Sequence, residues 1–392
     1  MKSKMSITLA EDTISQEELE ALSAWILKGN RLTKNGETTA FEGEFQDYLG
    51  VKHAICTNSG SSSNLLMIYA MQEAGYLRNN KVIAPAVSWV TTVSPLIQLG
   101  FDISLCECDA QNLGLDLEHL EHLCKTENPS MLILVHVLGH ANHMREIKQI
   151  CEKYNVRLIE DTCESLGSEF DGQKLGSISN AGSFSFYYGH HISTIEGGMV
   201  VTNDTNLNNI MLSLRSHGWS RDLSTDVRAN LQKKHNIDDF RNLYTFYHPG
   251  FNLRSTDLQA FIGRSQLKKL DHITKVRQQN YLIYQRELAD FFCQTSAASP
   301  MSSFAYGTMI ENPSEVFKHL SANDIECRPL ICGNIGRHPF WLDQYDDPKL
   351  KNADMVHDFG IYLPNHHNLS DKDIKFVCDT FKSIALPKHF LT

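Results

Sequence analysis

Between Ala54 and Thr202 the chain changes rhythm again and again. Short apolar runs alternate with stretches whose apolar residues recur every three to four positions. No other feature constrains the fold as tightly. An uninterrupted apolar run reads as a strand buried on both faces, and the helix-period stretch after it as the crossover that a parallel neighbour requires. The runs are Ala54–Thr57, Lys81–Pro85, Ile103–Cys108, Met131–Val137, Val156–Glu160, Gly182–Tyr188 and Gly198–Thr202. Helical periodicity marks Ser61–Ala74, Leu117–Cys124 and Met144–Tyr154. The pattern predicts an α/β domain around a mostly parallel sheet.

On either side the pattern changes. Ser15–Gly29 reads as a helix with Leu19, Leu22, Trp25 and Ile26 on one face, and a second helix is expected from near Thr39 to Gly50. From Ser220 to Tyr247 periodicity fades and charge rises, which predicts a long, partly helical excursion. A helix follows from Ser255 to about Lys268, continuing or kinking toward Leu288. Further on, Pro300, Pro313, Pro329, Pro339, Pro348 and Pro364 punctuate short elements, as expected of a smaller α+β lobe. A chain of 392 residues exceeds what one core usually serves. The expected division is 1–260, a large domain with an N-terminal helical segment, and 261–392, a smaller C-terminal domain.

Lys and Arg number 36 against 46 Asp and Glu, for a net charge of −10. Such a chain repels phosphate backbones, which argues against a nucleic-acid partner but not against a small phosphorylated ligand in a local pocket. The ten cysteines follow no disulfide spacing, and no apolar run is long enough to span a bilayer. A reduced cytoplasm is the simplest expectation.

Three stretches can carry chemistry. In Asn58-Ser59-Gly60-Ser61-Ser62-Ser63-Asn64 a strand ends, a glycine turns and hydroxyls open a helix, whose free N–H groups and dipole favour an anion. An ordinary N-cap has the same look. In Leu158-Ile159-Glu160-Asp161-Thr162-Cys163-Glu164 two acids close a buried strand, where open α/β sheets bind ligands. In Ser183-Phe184-Ser185-Phe186-Tyr187-Tyr188-Gly189-His190-His191 a strand runs into paired histidines ahead of Glu196-Gly197-Gly198, and histidine suits proton transfer near neutral pH. His136, His140 and His143 match no common zinc spacing, and no metal is expected.

These stretches, in this order and followed by Pro249-Gly250-Phe251-Asn252-Leu253-Arg254, resemble the DegT/DnrJ/EryC1/StrS family, sugar-modifying enzymes dependent on pyridoxal 5'-phosphate. The resemblance implies the aspartate-aminotransferase-like (type I) fold and carries roles to matching positions. Gly60, Ser61, Ser62 and Ser185 resemble the cofactor's phosphate cradle. Asp161 resembles the carboxylate paired with its pyridine nitrogen, and Trp89 the aromatic stacked on its ring. Glu164 falls where a group near the phenolic oxygen is usual. Asn252 resembles a residue that reaches the cofactor phosphate of a neighbouring subunit, which implies a homodimer with shared sites.

One departure is central. The family places its Schiff-base lysine eight residues before the second glycine of Glu-Gly-Gly, and here that position is His190. A histidine cannot bind the cofactor covalently, so the cofactor is expected to be held non-covalently. This substitution resembles the lysine-less GDP-4-keto-6-deoxy-mannose 3-dehydratase subgroup, as do Ser216–Arg221 and Ile325–Pro329. The implied activity takes an amino group from glutamate and removes the C3 hydroxyl of a keto-sugar for surface polysaccharide. His190 would be its base, His217 would assist from the partner subunit, and Arg254 and Arg328 are candidates for gripping the glutamate carboxylates. Two alternatives stand beside it. One is a lysine-free aminotransferase acting on a nucleotide sugar or an octulosonate-type sugar acid. The other is an inactive relative with a binding role, which the combined presence of Asp161, Ser185 and Trp89 disfavours.

Overall fold

The computed structural model describes residues 6–390. Its strands in chain order are β1 (His53–Thr57), β2 (Lys81–Pro85), β3 (Asp102–Cys106), β4 (Met131–Val135), β5 (Arg157–Asp161), the hairpin β6 (Glu169–Phe170) and β7 (Gln173–Lys174), β8 (Ala181–Ser185), β9 (Gly198–Thr202), β10 (Tyr306–Met309), β11 (Arg328–Pro329) and β12 (Gly360–Leu363). Seven of them form one sheet in the order β1-β9-β8-β5-β4-β2-β3. Only β9 runs against its neighbours, pairing antiparallel with both β1 and β8. A second sheet, β10-β12-β11, is antiparallel and comes wholly from the C-terminal part.

Strand alternation explains why the central runs are apolar throughout. Ile133 and Val135 of β4 join one buried cluster with Leu66 and Met67, while Leu132 and Leu134 join another on the opposite face with Met144 and Ile147. Both faces are covered, so β4 carries no polar residue on either. The same alternation sends the acids at the end of β5 to opposite faces. Glu160, fully buried, accepts from the Gly176, Ile178 and Ser179 N–H groups and pairs with His136 Nε2 at 3.1 Å. Asp161 turns to the other face.

The first helices are α1 (Gln16–Leu27), α2 (Gly36–Leu49), α3 (Gly60–Glu73) and α4 (Val90–Gln98). Ser15 caps α1 in a reciprocal box with Glu18. α2 begins earlier than its periodicity suggests, because Asp257 accepts from the Asn35, Glu37 and Thr38 N–H groups and so caps it from across the chain. Two helices escaped the sequence reading. α4 carries Pro95 inside it and β-branched residues at its start, and Thr205–Arg215 carries three asparagines. Tertiary packing overrides these poor propensities: Val93 and Leu96, Leu207, Met211 and Leu214 are fully buried. The excursion contains Thr225–Lys234 and Asp239–Asn242, and the later helical stretch divides into Asp257–Leu267 and Leu270–Glu287. Among the described residues no helix is long and apolar enough to cross a membrane.

Candidate active site

The carboxyl ends of the parallel strands collect the polar residues. α3 starts directly after β1, with Ser59 as N-cap accepting from the Ser62 N–H. Its first turn is pressed against β8. A Cβ on Gly60 would lie 2.5 Å from Ser185 Cβ and 3.0 Å from Cys163 Sγ. Only a glycine lets the Gly60–Ser62 amides come this close to the Ser185 hydroxyl, and the result is a cradle of donors at a helix N-terminus. Ser61 Oγ reaches Thr91 Oγ1 at 3.2 Å, tying α3 to the start of α4.

Asp161 lies behind this cradle, 5% exposed. Its Oδ2 accepts from Asn64 Nδ2 and Thr92 Oγ1, both at 2.7 Å, and its Oδ1 from the Cys163 N–H at 3.1 Å. Asn64 is one turn into α3 and in turn accepts from Ser183 Oγ at 2.5 Å. Thr92 is one turn into α4, three residues after Trp89, so the two share a side of that helix. Trp89 itself is exposed.

His190 follows β8 in a closed loop. Phe186 holds the loop's two sides, donating to the Gly197 carbonyl and accepting from the Thr194 N–H, and the His190 N–H donates to the Tyr187 carbonyl. The His190 Nδ1 is 2.6 Å from the Cys163 carbonyl. A carbonyl only accepts, so Nδ1 carries the proton and Nε2 keeps its lone pair. Burial pushes the imidazole down to about 4 against the pull of the Cys163 carbonyl and Asp161, so the ring is neutral at physiological pH. His191 is fully buried, with Nε2 3.0 Å from the Ser302 carbonyl.

Glu164 accepts from the Leu138 N–H at 3.0 Å. Burial pushes its carboxyl up to about 7, with the charge of Asp161 adding to the rise. Tyr362 lies within electrostatic reach of both Glu164 and Arg328, the latter paired beside it in register on β11. The structure therefore gathers Gly60, Ser61, Ser62, Asp161, Glu164, Ser185 and His190, with Trp89 at the edge and Arg328 approaching from the second sheet. Cys163, Asn64, Thr92 and Tyr362 were not singled out from sequence. A polar residue one turn behind a helix-opening motif was the available signal for Asn64 and Thr92.

Arg254 bridges Thr57 at the end of β1, and His217 lines the same cavity as Arg254. With Trp219, Arg221, Tyr244 and Phe246 they line an open cavity of about 670 Å³, next to a second of about 720 Å³ that Arg31, Lys34 and Asp222 share with Arg221 and Arg254. Asn252 is exposed, beside Ser216 in an isolated bridge.

The donors at the α3 terminus, the buried carboxylate behind them and the aromatic at their edge fit pyridoxal phosphate: an anion cradle, a partner for a ring nitrogen and a stacking face. Comparison with known proteins agrees. GDP-4-keto-6-deoxy-D-mannose 3-dehydratase of Yersinia pseudotuberculosis is 32% identical over 97% of this chain and 99% of its own. UDP-4-amino-4,6-dideoxy-N-acetyl-beta-L-altrosamine transaminase of Campylobacter jejuni is 28% identical over 96% of this chain and 97% of its own. The structure of E. coli GDP-4-keto-6-deoxy-D-mannose-3-dehydratase with bound hydrated PLP superposes with a TM-score of 0.88 at 29% identity, covering 97% of this chain and 100% of that one. The model of the DegT/DnrJ/EryC1/StrS aminotransferase family matches residues 12–382, so the chain belongs to that family and has its fold.

Proposed function

We propose that this chain is a glutamate-dependent keto-sugar-modifying enzyme of the cytoplasm that holds pyridoxal 5'-phosphate non-covalently and uses His190 as its base. The reaction we favour is removal of the C3 hydroxyl of a keto-sugar in deoxysugar biosynthesis. The observation that carries this reading is His190 itself, a neutral imidazole fixed through Nδ1 to the Cys163 carbonyl, with Nε2 unprotonated, at the position of the family lysine.

When bound, the cofactor supplies an electron sink and carries an amino group taken from glutamate. Gly60, Ser61, Ser62 and Ser185 would hold its phosphate, Asp161 would pair with its ring nitrogen, Trp89 would offer a stacking face and Glu164 would lie toward the phenolic oxygen. His190 Nε2 accepts a proton and can return it to the departing hydroxyl, since a ring with so low a proton affinity gives the proton up readily. Arg328 and Arg254 grip carboxylates of glutamate. Asn252, Arg254 and His217 complete the site of a second subunit in a homodimer. A fully active monomer at working concentration would sink that arrangement.

A second reading keeps the amine on the sugar. It is supported by the likeness to a transaminase and by the helical excursion at 225–242, where sugar recognition can differ. Its substrate would be a keto- or aldehydo-sugar, nucleotide-linked or an octulosonate-type acid.

The deciding experiment is mass spectrometry of products after incubation with pyridoxal phosphate, glutamate and a panel of keto-sugars. The panel includes GDP-4-keto-6-deoxy-mannose and an oxidised octulosonate. Loss of the C3 hydroxyl with release of ammonia supports the dehydratase. A sugar that gains nitrogen supports the aminotransferase. No 2-oxoglutarate from glutamate refutes both.

A further inference from the structure

Arg277, in the helix Leu270–Glu287, is 2% exposed, and among the described residues no carboxylate pairs with it. Its Nη1 donates only to carbonyls: Ser303 at 3.3 Å, Phe304 at 2.9 Å and Asn365. Asn365 Nδ2 returns to the Arg277 and Ser303 carbonyls, both at 3.1 Å, closing the knot. A buried cation without a counter-ion is costly and is out of place in a purely structural core, where an apolar residue would do as well. What it faces is the ring of Phe304, with the guanidinium carbon 5.9 Å from the ring centroid. The same ring packs on His190, centroids 5.3 Å apart, and on His191 at 5.9 Å.

We propose that Arg277 and Phe304 are positioning residues for the reaction at His190: the guanidinium pins the Ser303–Phe304 backbone, the Phe304 ring sets the imidazole plane, and the uncompensated charge disfavours the protonated form of that imidazole. This rests on His190 being the base. The groups that act on its ring come from every side. Asp161 at the end of β5 and the Cys163 carbonyl favour protonation, whereas burial and the Arg277 charge oppose it. Tyr187 and His191 flank it on its own loop. The two ring separations put Arg277 within about 11 Å of His190, a distance at which one buried charge displaces a titration by about half to one pH unit.

The test separates charge from architecture. Arg277→Gln keeps an amide NH2 donor and removes the charge, and Arg277→Lys keeps the charge. Diethyl pyrocarbonate acylates neutral imidazole, so its rate at His190 against pH, read by peptide mass spectrometry on the full chain without cofactor, reports the ring's protonation. The midpoint should rise by about half to one unit in the Gln variant and stay put in the Lys variant. Coincident curves for Gln and wild type, or equal shifts in Gln and Lys, overturn the charge role. Phe304→Leu nearly conserves volume. It should lower kcat of the glutamate half-reaction at least tenfold with KM for glutamate unchanged, and an unchanged kcat overturns the orienting role. Full turnover by His190→Asn would instead refute the underlying assignment of the base, whatever the acylation curves show.

Discussion

Replacing Gly60 by alanine adds a single carbon at the tightest contact of the site. The new Cβ would lie 2.5 Å from Ser185 Cβ, at least 1 Å inside an ordinary carbon–carbon contact, with Cys163 Sγ at 3.0 Å. Neither side can yield cheaply. Ser185 is locked in register opposite Gly198, and a Cβ on Gly198 would itself be 2.4 Å from the Ser59 carbonyl, so the α3 terminus is held on two sides. Overpacking of this kind costs about 1–3 kcal/mol of stability. The displaced amides should also lose one charge-assisted hydrogen bond to phosphate, about 1.5–3 kcal/mol, or roughly 10- to 100-fold in pyridoxal phosphate affinity. Gly43→Ala is the control. It lies inside α2 with nothing within 4 Å of its Cβ, and should gain about 0.5–1 kcal/mol from reduced chain entropy. Urea unfolding and cofactor titration followed by absorbance read both effects. If Gly60→Ala matched wild type in midpoint and affinity, the packed cradle would be the wrong account of phosphate binding.

Other expectations follow from the same geometry. His190→Asn should bind pyridoxal phosphate and lose at least 100-fold in turnover, the lower range for a general base, as measured by product formation. Borohydride treatment of the loaded enzyme should leave no phosphopyridoxyl-lysine on peptide mapping, and finding one would remove His190 from the lysine position. Glu164, pushed up to about 7 by burial, binds its proton more tightly folded than unfolded. Its stabilising contribution is therefore full below about 4.5 and lost as pH rises through 7, so Glu164→Gln should gain on wild type between pH 5 and 8 in urea melts, and the reverse ordering contradicts the shift. Arg215 is fully buried between Glu42 at 2.6 Å and Asp222 at 3.1 Å and also holds the Cys56 carbonyl at 3.0 Å. Arg215→Met should cost about 3–5 kcal/mol by removing the cation from Glu42, which keeps only the Cys56 N–H, while Asp222 keeps Lys34 at 3.1 Å, and a loss below about 1 kcal/mol would show that solvent reaches Glu42.

Strand positions were legible because a strand buried on both faces must be apolar throughout: Lys81–Pro85 and Gly198–Thr202 appear with the bounds their patterns suggested. α4 and Thr205–Arg215 were not, since their helicity comes from burial rather than propensity. The order of motifs along the chain likewise pointed to the residues gathered at the strand ends, because each motif sits where a strand turns into a helix or loop.

Sequence alone determined the alternation that builds the sheet, the glycine that lets α3 meet β8, and the histidine in place of lysine, because each is a matter of which atoms a side chain has. Only the tertiary structure decided which partners Glu160 and Asp161 meet and that His190 carries its proton on Nδ1. It alone set Arg277 behind Phe304 and placed His217 and Arg254 on one cavity wall. Each of these depends on which distant carbonyl or carboxylate comes within about 3 Å, and spacing along a chain does not encode that distance.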